Sequence, residues 1–121
     1  MEQVATELWI DDLRDPSKIL PDFSDKVVWK KEAWEARNYL FRDAAPTLEV
    51  LYLDNNLGDA DVTGEDLLSF VAFRLERYPN LKQVYLHSSD DVAIERMLSY
   101  KSHFDKRNVG LDVAPYRSRC L

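Results

Sequence analysis

The chain has 121 residues, enough for one domain with a single core, and 45% of them are hydrophobic against 31% charged. With only three glycines and five prolines, it has the composition of an ordinary α/β or α+β domain and not of a disordered segment. A net charge of −6 argues against duplex DNA as a partner, yet a short anionic ligand held through a metal ion stays open because a local cation inverts the field.

The first apolar run, "ELWI" (7–10), reads as a strand and ends on the acidic pair Asp11 and Asp12. The next stretch, "DDLRDPSKILPDFSD" (11–25), carries Pro16 and Pro21. Those prolines leave room for a short helical turn and a loop but not for a regular helix, and the loop is a candidate lid. A second strand follows in "KVVW" (26–29), then "KEAWEARNYLF" (31–41) with Ala33, Trp34, Arg37, Leu40 and Phe41 at helical spacing.

The third strand, "LEVLYLD" (48–54), is nearly continuous in apolar character, as expected of a parallel strand covered on both faces, and it ends on Asp54. The strongest helical pattern spans residues 63–78. Thr63 and Asp66 form a capping-box start, Leu67, Leu68, Val71 and Leu75 mark one face, and Pro79 stops it. "LKQVYLHSS" (81–89) is the fourth strand, and residues 89–104 predict another helix, capped by Ser88 or Ser89 and marked by Val92, Met97 and Leu98. A fifth strand is expected near Val109 to Val113. Cys120, the single cysteine, can form no internal disulfide and fits a reducing compartment. Neither a signal-peptide pattern nor an apolar run of membrane-spanning length is present, so a cytoplasmic protein is expected.

Strands alternating with helices imply a parallel sheet with right-handed crossovers, whose ligands bind beyond the carboxyl ends of the strands. Asp11, Asp12 and Asp54 all lie at such ends. If the first and third strands are neighbours, about 4.8 Å apart, three carboxylates converge. Their mutual repulsion calls for a cation, and hard oxygen donors suit Mg²⁺ or Mn²⁺. A lone Asp after a strand more often caps a loop; a pair plus a third on a neighbouring strand favours a site.

The same stretches resemble the receiver domain of two-component response regulators. On that resemblance the fold is receiver-like (flavodoxin-like): a three-layer α/β sandwich on a 4–5-stranded parallel sheet, its first helix short or missing, in one domain over 1–121. Asp54 falls at the phospho-acceptor position, the backbone carbonyl of Asn56 at a metal-ligand position, and Ser88 where receivers keep a Ser or Thr. Ala114 stands where receivers have a phosphate-binding lysine. A narrower likeness is to the atypical receivers proposed to process cyclic phosphates. "DDLRDP" (Asp11, Asp12, Arg14, Pro16), "LDNNLG" (Asp54, Leu57, Gly58), "TGED" (Gly64, Asp66) and "HSSD" (His87, Ser88), followed by Met97, match that family's motifs in order. The departures are Asn55 and Asn56, where the family has His and Asp, and Asp90, where it has Asn; an amide cannot serve as a general base.

The resemblance implies a metal-dependent phosphoester enzyme acting on a cyclic or terminal phosphate of a nucleotide or RNA end. Asp11, Asp12, Asp54 and Asn56 would hold the metal, Arg14 and Ser88 would contact phosphoryl oxygens, and His87 would move the proton beside Asp54. The bland alternatives are an ion pair for Arg14 with Asp11, Asp12 or Asp66, a structural role for His87 and a helix cap for Ser88. Trp9, Trp29 and Trp34 read as core or partly covered surface, and His103 as surface. Two other functions compete: a phosphoryl-accepting receiver, weakened by the missing lysine, and a catalytically degenerate domain that binds a ligand or protein partner, favoured by Asn55 and Asn56.

Overall fold

In the computed structural model, which describes residues 5–59 and 61–117, five short strands pair in parallel. They are β1 (Glu7–Ile10), β2 (Val27–Lys30), β3 (Val50–Leu53), β4 (Gln83–Leu86) and β5 (Gly110–Val113), in the order β2-β1-β3-β4-β5. This is the flavodoxin-like receiver arrangement. Each strand is four residues long; the wider runs expected at 48–54 and 81–89 contribute their outer residues to loops. The expected fifth strand forms.

Register follows from alternation along each strand. Leu8, Leu51, Val84 and Leu111 stand side by side, as do Ile10, Leu53, Leu86 and Val113. The first of these rows is buried, as are Ile10, Leu53 and Leu86, beneath the four helices. Those helices are α1 (Ala33–Arg42), α2 (Gly64–Ala72), α3 (Asp91–Leu98) and α4 (Lys101–Asp105). Ala36 and Leu40, Leu68 and Val71, Met97, and Phe104 reach this core from the four in turn.

On the other face Trp29, Trp9, Tyr52 and Tyr85 form an aromatic row across four strands. The layer over it is thin. A 3-10 turn (Pro16–Lys18), capped by Asp15, is followed by Ile19 and Leu20, which pack there with Ala114 and Tyr116. No regular helix occupies the stretch between β1 and β2, as Pro16 and Pro21 led us to expect. The later part of the segment covers the aromatic face, while Arg14 at its start reaches the acidic tips.

Three helical expectations need correction. The pattern read as one helix over 63–78 ends at Ala72, and residues Leu75–Arg77 form a separate 3-10 turn. The unwinding sends Leu75 and Tyr78 into the core, where the Tyr78 hydroxyl donates to the Leu40 carbonyl at 3.0 Å. Burial pushes the Tyr78 hydroxyl pKa up to about 12. The helix read over 89–104 is two, α3 and α4, because the Ser99 hydroxyl donates back to the Arg96 carbonyl and competes with helical bonding. Its cap is Asp90, which accepts from the Val92 and Ala93 amides, and neither Ser88 nor Ser89. The capping box of Thr63 and Asp66 forms as read. Of the tryptophans, Trp9 is fully buried, Trp29 half-buried and Trp34 exposed. His103 is half-buried, edge-on against the exposed Phe73 ring at 4.7 Å. Cys120 lies outside the described residues. Among the described residues no helix is long and apolar enough to cross a membrane.

Candidate metal centre

The parallel pairing of β1 with β3 sets Ile10 beside Leu53, so the residues that follow, Asp11 and Asp54, leave the sheet at the same level. Asp11, Asp12 and Asp54 each offer a carboxylate oxygen, and these lie within 4.8 Å of one another. The convergence read from the strand tips is thus present. Asp11 and Asp54 are buried, and Asp12 is half-buried.

Asp11 is the best-held group. Its Oδ1 accepts from the amides of Leu13 (2.9 Å) and Arg14 (3.0 Å), and its Oδ2 accepts from Arg14 Nη1 at 3.0 Å. His87 Nε2 lies 3.1 Å from the same Oδ2. An ionised carboxylate only accepts, so Nε2 carries a hydrogen towards Asp11, and on the other side of the ring Nδ1 lies 3.3 Å from the Tyr116 hydroxyl. Burial by itself would raise the Asp11 pKa. The bonds from His87, Leu13 and Arg14 outweigh it and hold the carboxyl below its usual range.

Asp54 is treated differently. Its Oδ1 accepts from the Asn55 amide at 2.8 Å and its Oδ2 from Arg14 Nη1 at 3.2 Å. Burial, and then the neighbouring Asp11 charge, push its pKa up, against the pull of His87 and Arg14. Two adjacent carboxylates thus titrate apart, as like charges sharing one site must. Arg14 bridges both, which realises the ion-pair alternative with Asp11 and adds Asp54; Asp66 is taken up by the capping box.

His87 reaches the cluster at Asp11 but has no solvent-exposed surface. It is fully buried, stacked on Trp9 at 4.3 Å, and sits beneath Asp11 as a support. Ser88 is also buried, and its Oγ accepts from the Asp90 amide at 3.1 Å. The exposed Asn56 closes a turn, its Oδ1 accepting from Gly58 N at 3.0 Å. Gly58 has φ +70°, and a Cβ there would stand 3.2 Å from Asp12 Oδ2, so the loop passes close to the carboxylates. Asn55 Oδ1 accepts from the Glu65 amide at 3.0 Å and pins the start of α2, a structural use for an amide at that position. Ala114 is buried, its amide donating to Leu86 O, and brings no charge.

Sequence reasoning missed the supports. The Trp9 indole donates to Arg14 O at 2.8 Å and the Trp29 indole to Asp11 O at 2.9 Å, so both rings hold the backbone that carries the cluster. Tyr116 braces His87. A tryptophan in a strand reads only as core, and nothing in the sequence marks these indole bonds.

A divalent cation suits this donor set. Three carboxylates against one guanidinium leave a surplus of two negative charges in a small, largely buried volume, and all the donors are hard oxygens.

Comparison with known proteins follows the same lines. The family model of the cyclic-phosphate processing receiver domain matches residues 6–103. Among solved structures the chain resembles the Mn²⁺-bound form of response regulator Rcp1 with a TM-score of 0.61. Identity is 12%, and the likeness covers 91% of this chain and 80% of that one, which bears on the fold alone. No curated protein matches in sequence.

Proposed function

We propose a function that starts from the family: the chain belongs to the cyclic-phosphate processing receiver family, and its domain binds a small phosphorylated ligand through a divalent cation at Asp11, Asp12 and Asp54. The ligand class is a cyclic or terminal phosphate of a nucleotide or RNA end, and Mg²⁺ or Mn²⁺ is the ion. The observation that carries this reading is the meeting of three carboxylates at the carboxyl edge of the sheet. The cation would neutralise charge on the ligand's phosphoryl oxygens. Asp11 is held in place by His87 and two backbone amides. Arg14 is suited to donate to a phosphoryl oxygen through its fork of N–H groups; Ser88 and Asn56 follow the ends of β4 and β3.

Binding without rapid turnover is the better reading because the one histidine near the cluster is sealed beneath it. Turnover is the second reading, favoured by the family's description. The test is calorimetric titration with cyclic-phosphate nucleotides, with and without Mn²⁺, alongside a product assay on the same mixtures. We expect Mn²⁺-dependent binding and little product. Rapid product formation would favour the enzyme, and no binding with Mn²⁺ present would reject both readings.

A further inference from the structure

We infer that Arg14 and a divalent cation compete for the same carboxylate oxygens, so that Arg14 sets the cation affinity of the domain and is freed for the ligand only when the cation arrives. This rests on reading the cluster as a cation site. It goes beyond that reading in assigning Arg14 a role before any ligand binds.

The argument begins with acceptor capacity. A carboxylate offers about four lone-pair sites, and Asp11 already receives Leu13 N, Arg14 N, His87 Nε2 and Arg14 Nη1. An inner-sphere cation therefore has to displace one of these donors. The two amides belong to a turn whose backbone is anchored, since Arg14 O accepts the Trp9 indole N–H and Asp11 O accepts that of Trp29. His87 is fully buried and packed against both Trp9 and Tyr116. The Arg14 side chain alone combines a flexible stem with partial exposure, at 21%.

The same Nη1 also occupies Asp54 Oδ2. One guanidinium nitrogen thus touches oxygens of two residues that would hold a cation, and two positive charges cannot share that point. Displacement need not disturb the fold, because the Arg14 backbone stays bonded at both its amide and its carbonyl. The freed guanidinium remains tethered beside the cluster, ready for an anion that the cation attracts.

The test compares Mn²⁺ dissociation constants of the wild-type chain and Arg14→Gln, read from the free Mn²⁺ paramagnetic resonance signal without any phosphorylated ligand. Losing a charge-assisted contact and a positive charge should tighten Mn²⁺ binding by about tenfold or more. If the wild type binds Mn²⁺ and Arg14→Gln binds no tighter, the competition is wrong and the cation site stands. If neither binds, the cation site fails and the inference fails with it. Should Arg14→Gln not fold, the wild-type Arg14 Nε–Hε resonance, identified by its loss in Arg14→Lys, decides the matter. It should move on adding Mg²⁺, and a signal unmoved at saturating Mg²⁺ overturns the inference.

Discussion

At Asp11 the donors outnumber those at Asp54, though the two carboxylates are buried side by side. The consequence is opposite pH linkage. Asp11, with its pKa lowered in the folded chain, contributes stability that is present above the unfolded value and lost as pH falls through the folded one. Asp54, with its pKa raised, contributes stability that is present in acid and lost as pH rises through the folded value, so its charge costs stability at neutral pH. Asp54→Asn should therefore stabilise the metal-free chain at pH 7, and the gain should vanish in acid, where wild-type Asp54 is itself neutral. Asp11→Asn should destabilise by about 1–3 kcal/mol, because an amide group would be turned on N–H donors that need an acceptor. Thermal melts over a pH series check both, at about 4 °C per kcal/mol for a domain of this size. A lower melting temperature for Asp54→Asn at pH 7 would contradict the assignment. The aspartates were legible as a group: one Asp after a strand more often caps a loop, but a pair after β1 and a third after the adjacent β3 must converge. For His87 the sequence left an acid–base and a structural role open, because "HSS" after a strand looks the same whether the ring is exposed at the cluster or buried against it.

Among the elements, α2 is the one whose position decides the site. Its first residue, Gly64, packs against the end of β3 so closely that an added Cβ would fall 1.9 Å from Asp54 O and 2.7 Å from Asn55 Cα. The glycine is needed for that approach. Gly64 N donates to Asn55 O at 2.8 Å, and Asn55 Oδ1 takes the next amide, so helix and strand tip move as one. Gly64→Ala should cost about 1–3 kcal/mol, the usual range for overpacking, and should weaken Mn²⁺ binding by moving Asp54. Denaturant midpoints and Mn²⁺ titration test this, and unchanged values in both would show that α2 does not set the Asp54 position. The start of α2 was readable from Thr63 and Asp66, whose reciprocal bonds are local. Its end was not, because Leu75 keeps the helical apolar spacing while the Tyr78 hydroxyl is drawn to a carbonyl of α1 that is distant in sequence. Ser99 broke the next helix by the same kind of bond, which spacing does not register.

At the scale of the molecule, the four helices of the described residues lie on one face of the sheet and the aromatic row faces a thin cover. The parallel order was predictable from alternating strands and helices; the unequal layers were visible only in the prolines of 11–25. This distribution bears on phosphoryl transfer. In the receiver resemblance a lysine at the end of the fifth strand neutralises the phosphoryl group, but here β5 leads to buried Ala114. The cation of the cluster, Arg14, comes instead from the β1 edge and is already engaged by Asp11 and Asp54. A phosphoryl group on Asp54 would remove that contact and add negative charge beside Asp11 with no lysine opposite. Incubation with acetyl phosphate and Mg²⁺ should accordingly leave little stable adduct in an intact-mass measurement. Efficient labelling that disappears in Asp54→Asn would mean that Arg14 substitutes for the lysine from the opposite side, and it would make this domain a phosphoryl-accepting receiver.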